Sequence, residues 1–203
     1  MSNTQAPNGL QFWRKLTGSA LGDGQEGTPF KIAYNNSTAI GFGDPVIQLS
    51  TGYIGRASTG GSVAIKGIFV GCQFIATSNN QLTTLRYWPG SGNLGTGDVQ
   101  AWIISDPDTL WTVQAYNTAI SFADIGANAN IQIGTVNTTT GFSGASIDQS
   151  TVATTNTLPF RIYGLLSQYQ TASGAVNGTD DASAYNVAIV KACNWDRAQL
   201  EGI

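Results

Sequence analysis

Residues 87–102 read YWPGSGNLGTGDVQAW, and how this stretch is interpreted decides the fold. Gly90, Gly92 and Gly95 fall at the G-x-G-x-x-G spacing of a dinucleotide-binding loop. Such a loop works because it follows a strand and opens a helix, whose first N–H groups hold a pyrophosphate. Here Thr96, Gly97 and Asp98 are turn-formers, after which Val99, Ala101 and Ile103 alternate with Gln100 and Trp102. A period of two is strand patterning. With no helix behind it, the glycine run reads as a connection between two strands, led into by Trp88-Pro89, and not as a phosphate cradle.

The same patterning recurs along the chain. Strands are expected at 45–49, 63–77, 82–88, 98–104, 110–116, 158–166 and 184–195, separated by turn signals about every ten residues. In the second of these, Ile68, Val70, Cys72, Phe74 and Ala76 share one face, with Lys66 on the same side. A core is expected from Phe69, Val70, Phe74, Ile162, Leu165, Val187 and Ile189. Helical signals are few: a turn or short helix within 117–129 closed at Gly126, and a second in the tail after Trp195. Residues 134–157 are rich in Thr, Gly and Ser and read as a long excursion or a thin polar strand pair. The expected fold is all-β: one β-barrel or β-sandwich domain over 21–203, with long polar loops and an extended N-terminal arm over 1–20.

Composition narrows the function. The chain has 203 residues, a net charge of -3 and no histidine. Its longest basic cluster is Arg14-Lys15, so no nucleic-acid partner is expected. No apolar run is long enough to span a bilayer and the start lacks an apolar signal core, so neither a membrane partner nor export is expected. Charged residues make up 10% of the chain, against roughly 25% in ordinary globular proteins. Two readings fit that deficit: a compositional habit of the source, or a surface largely covered by other proteins, since interfaces are depleted in Lys, Glu and Asp. Cys72 and Cys193 sit in apolar alternating runs and are expected as buried free thiols.

Catalytic apparatus is hard to assemble from these residues. Gly141–Ala145, GFSGA, approaches the nucleophile-elbow pattern, but without an imidazole no Ser-His-Asp relay can form. Asp106-Pro107-Asp108 has the spacing of a metal-holding carboxylate pair, yet Pro107 fixes a turn in which Asp caps backbone N–H groups. Asp180-Asp181 lies in a polar loop, and Asp44, Asp98, Asp124 and Asp148 show no spacing that would set two of them across a cleft. No enzyme activity, cofactor or metal is expected. Five Trp and seven Tyr could build a sugar platform, but at strand spacing such residues serve more often as core or interface.

The order of short motifs resembles a family of tailed-phage virion proteins, the head decoration or cement proteins found in marine phages. It runs through QAPNGLQFWRKLTGS at 5–19, GDPV at 43–46, GIFVG at 67–71, YWP at 87–89 and SDPDTLWTVQ at 105–114. It continues through GANA at 126–129, GFSG with ID at 141–148, PFRIYGL at 159–165 and the final Gly202-Ile203. Asn8, Ser105 and the absence of His near Cys193-Asn194-Trp195 depart from that pattern.

The resemblance implies an all-β body bound to the outer surface of a phage capsid. It would bridge neighbouring major capsid subunits and act without catalysis. A homo-oligomer is expected, a trimer at threefold positions ahead of a dimer. The alternative is a receptor- or carbohydrate-binding tail or fibre protein. Contacts with partners are expected from Leu10, Phe12, Trp13, Arg14, Lys15 and Trp88. In an extended arm Phe12 and Trp13 point to opposite sides, so one of them needs a second surface. Either the arm folds back along its own barrel or it reaches a neighbouring protein, with Trp13 as anchor and Arg14 paired to an acidic group.

Overall fold

The computed structural model describes residues 3–16, 28–61, 64–166 and 182–196. It is all-β, with a five-stranded barrel and a second sheet. Twelve strands occur among the described residues. They are β1 (Gln11–Lys15), β2 (Thr28–Ile32), β3 (Pro45–Gln48), β4 (Ile54–Arg56), β5 (Gly67–Ala76) and β6 (Leu82–Leu85). The rest are β7 (Leu94–Ile104), β8 (Thr109–Tyr116), β9 (Asn128–Gln132), β10 (Ser146–Ala153), β11 (Phe160–Leu165) and β12 (Val187–Ala192).

The barrel closes in the order β8, β12, β11, β9, β10 and back to β8. Closure depends on a short parallel contact in which Ile147 and Asp148 of β10 meet Ala115 and Tyr116 of β8. Five strands leave a narrow interior, which mixed large and small side chains fill. Trp111, Phe160 and Trp195 share it with Ala115, Ala129, Ala188 and Ala192. This corrects the reading of β12. Its inward residues are Ala188, Val190 and Ala192, while Val187 and Ile189 are half-buried on the other face. Hydrophobicity picks out Val187 and Ile189; the narrow barrel admits the face that carries two alanines.

The second sheet runs β2-β7-β5-β3-β4, with β6 also on β5. Its end strands β2 and β4 lie against each other, so it curls around its own core of Ile32, Val46, Ile54, Phe69, Cys72, Phe74, Trp88, Val99 and Ala101. A bulge between Phe69 and Gly71 shifts the register of β5 against β7. One extra residue exchanges the two faces of a strand. Ile68 therefore packs into the barrel core, and Phe69 joins Cys72 and Phe74 in the second core, where uninterrupted alternation would have grouped Ile68 with Cys72. Ile104 of β7 follows Ile68 into the barrel core.

The glycine-rich stretch leads into a strand and not a helix, as expected, but the connection is shorter than expected: residues 94–97, read as part of the turn, already belong to β7. Ser91–Asn93 form a single 3-10 turn, and β7 starts directly after it. The helical signal in 117–129 comes to the 3-10 turn Phe122–Asp124, followed by Gly126 at φ +94° and the start of β9 at Asn128. The 134–157 segment divides: 134–145 crosses to the second sheet, and Ser146–Ala153 is a barrel strand. The expected tail helix falls on 197–203, outside the described residues apart from Asp196.

Two outcomes follow from this packing. Phe74 is buried edge-on to Trp88, with ring centroids 5.1 Å apart. Phe74→Ala is expected to cost about 3–5 kcal/mol in urea unfolding, and an unchanged midpoint would place the ring outside the core. The thiols should separate in a disulfide-reagent titration at mildly alkaline pH. Burial pushes Cys72 up to about 12. Cys193 follows the end of β12 and is exposed, contrary to the expectation that it is buried. Burial raises its thiol too, and the N–H groups of Asn194 and Cys193 pull it back. One thiol should react in the native protein and the second only on unfolding. Equal native rates would mean that Cys72 is accessible.

Candidate functional site

The polar centre of the molecule lies where the two sheets meet. Asp44, at the turn into β3, is completely buried. Its Oδ2 accepts from the Gly41 N–H at 2.6 Å, and its Oδ1 accepts from the Ser143 hydroxyl at 2.5 Å and from Arg56 Nη2 at 2.9 Å. Arg56 Nε stands 2.7 Å from Oδ2 as a charge contact without hydrogen-bond alignment, and Nη2 also donates to the Gly134 carbonyl. Burial drives the Asp44 carboxyl above the ordinary carboxylate range, against the opposing pull of Arg56, Ser143 and Gly41. Ser143, the serine of the GFSGA motif, is buried and its Oγ also accepts from the Ala145 N–H. Its surroundings are those of a structural hydroxyl between sheets: it donates a hydrogen bond to a carboxylate and is closed off from the surface.

The N-terminal segment folds back on its own barrel. Gln114 of β8 holds it at two points, accepting from the Ala6 N–H at 2.8 Å and donating to the Thr4 carbonyl at 2.9 Å. At Gly9, φ is +71° and a Cβ would stand 2.6 Å from Ser143 Cβ, so the crossing needs glycine. Leu10 donates its N–H to Gly43 and is 1% exposed. β1 then pairs with β8, with a bulge at Trp13 between Phe12 and Arg14. Phe12 packs edge-on against Trp111 at 6.2 Å. Trp13, Arg14 and Leu16 face outward, Trp13 at 42% exposure. Lys15 turns back inward, 8% exposed, with Nζ 3.1 Å from Asp106 Oδ2.

These placements sort the six expected contact residues. Leu10, Lys15 and Trp88 are buried within this chain, so they are corrected from partner contacts to structural residues. Trp88 belongs to the second core, where its Nε1 donates to the Asn36 carbonyl and its backbone exchanges two hydrogen bonds with Ile40. Phe12 is partly buried against the barrel core. Trp13 and Arg14 stay on the surface, and Leu16, which the sequence reading did not select, completes their patch. Of the two readings of the arm over 1–20, residues 3–16 take the one in which it folds back along its own barrel and ends in a strand; residues 17–20 lie outside the described part.

The carboxylates have local partners. Asp106 Oδ1 accepts from the Asp108 N–H, and Asp108 pairs with Lys191 at 2.8 Å, so the Asp-Pro-Asp stretch is a hydrogen-bonded turn. Asp124 caps Ser121, Asp148 holds Ser150, and Asp98 accepts from the Tyr53 hydroxyl. Asp180-Asp181 lie outside the described residues. Comparison with protein-family models, curated proteins and solved structures gives no match for this chain.

Removing one member of the buried pair tests its weight. Arg56→Ala leaves the Asp44 carboxylate without its countercharge and is expected to cost about 3–5 kcal/mol in chemical denaturation. Arg56→Ala combined with Asp44→Ala should cost less than the sum of the two single variants. Additive effects would show that the two side chains act independently.

Proposed function

We propose that this chain is a phage capsid decoration protein. It binds the outer surface of the major capsid protein shell, bridges neighbouring subunits and performs no catalysis. The observation that carries this reading beyond the motif order is the outward face of β1. Trp13 and Arg14 on β1, with Leu16 directly after it, expose apolar and basic side chains on a segment whose other face packs against the barrel. Trp and Arg are the residue types most enriched at binding hot spots. The low charge supports the same reading, because hydroxyl and amide groups form interface hydrogen bonds without the desolvation cost of ions. Many weak contacts repeated over a symmetric shell add by avidity. A trimer about threefold positions matches that logic, with a dimer as the alternative arrangement.

Trp13→Ala should leave the fold intact, since the ring is already exposed, and weaken capsid binding by about 2 kcal/mol, roughly thirtyfold. The measurement is co-sedimentation with undecorated capsids of the phage encoding this chain. Wild-type binding by the variant would remove β1 from the contact. A few copies per purified virion, in place of hundreds, would move the protein to the tail.

A further inference from the structure

The second sheet carries an open groove of about 560 Å³ between the 33–38 turn after β2 and the β3–β4 hairpin. That volume is within the roughly 300–1,000 Å³ of small-molecule sites. Tyr34 is 62% exposed at its edge, and Tyr53 lines it with a half-buried ring. The Tyr53 hydroxyl donates to Asp98 Oδ2 at 3.1 Å, and Lys31 Nζ stands 3.8 Å from the same oxygen. Both sides of the groove carry short polar side chains, from Asn35, Asn36, Thr38 and Thr51. Asn36 spends its Oδ1 on the Thr38 N–H; the Asn35 amide and the Thr38 and Thr51 hydroxyls have no hydrogen bond among the described residues.

The chemistry of this lining selects a ligand class. The guanidinium in the groove wall, Arg56, is committed to Asp44 and Gly134, and the exposed Lys31 lies outside the lining, so the groove wall itself offers an anion no free countercharge. Free amides and hydroxyls both donate and accept, which suits a ligand dense in hydroxyls. An exposed aromatic ring provides a flat apolar face with a polar edge. A pyranose ring has both matching surfaces: an apolar C–H face and a rim of hydroxyls. We propose that this groove binds a neutral oligosaccharide, with one hexose or N-acetylhexosamine ring stacked on Tyr34 and its hydroxyls bonded to Asn35, Thr38 and Thr51. The groove is built on β2, β3 and β4, whereas the Trp13 patch is built on β1, the edge strand on β8, so the two surfaces can be tested separately.

The experiment is saturation-transfer NMR and calorimetry on the full chain with maltotriose, cellotriose and chitotriose, and with sialyllactose and choline as charged comparators. At least one neutral triose should bind at millimolar concentration, with saturation concentrated on one ring. Tyr34→Ala should weaken it about tenfold, and Thr51→Ala should weaken it too. Phe122→Ala, which removes a ring 83% exposed on the 122–124 turn, should leave binding unchanged. Silence from all three trioses, binding of sialyllactose or choline alone, or wild-type affinity in Tyr34→Ala would each overturn the proposal.

Discussion

The two sheets are held in one arrangement by a single buried charge. Asp44 collects donors from its own turn at Gly41, from Arg56 at the end of β4 and from Ser143 in the 134–145 crossing, and Arg56 continues to Gly134. The backbone locks the same place, with Gly43 donating to Phe69 and Phe69 donating to Asp44. This centre is a poor source of net stability. A carboxyl whose folded value lies above its ordinary 3.8 contributes fully only while protonated, below that value, and loses the contribution as pH rises through the folded value. Desolvation outweighs attraction here, as it commonly does for buried pairs. What the cluster supplies is position: any docking of the sheets that separated Asp44 from Arg56 would leave a charge stranded in the interior.

Position matters because the two cores have different shapes and share strands. The barrel interior is narrow and takes alanines beside tryptophans; the second core is built on aromatic and branched residues of the curled sheet. β5 and β7 serve both, sending Ile68 and Ile104 one way and Phe69 and Ile103 the other. The bulge at Val70 makes that division possible, since it turns one strand's alternation over at the boundary. The Asp44 carbonyl bonds to Phe69 directly beside that bulge, so the charge cluster and the change of face are fixed together.

Local pattern carried the long strands. β5, β7, β8, β11 and β12 alternate over enough residues to be read alone, and the strand after Gly95 excluded a nucleotide loop. The short strands β1, β2, β4 and β9 escaped because their period is too brief, and the longer, Thr- and Ser-rich β10 was legible only as an excursion or part of a thin polar strand pair. Face assignments failed where a non-local constraint intervened: the β5 bulge answers to β7, and β12 answers to the barrel radius. The Asp44 centre was visible only as a carboxylate among others, because Ser143 lies 99 residues away. One signal was present in the sequence. Asp44 stands between Ile40 and Val46 in an otherwise uncharged run, and a charge so placed requires a partner.

The same reasoning changes how the N-terminal segment can meet another protein. A free arm would have to order on binding and spend part of its contact energy doing so. This segment is already ordered as far as Leu16, through Gln114, Gly9 and the β1–β8 pairing. β1 stands at the end of its strand order, a position that invites edge-to-edge pairing with other chains. Its bulge at Trp13 twists the edge and breaks the run of backbone groups that such pairing needs. The bulge therefore works in two directions: it disfavours indiscriminate strand addition, and it turns an indole outward on a rigid base. A partner meeting β1 would be recognised through the Trp13, Arg14 and Leu16 side chains, with little ordering cost to set against the contact.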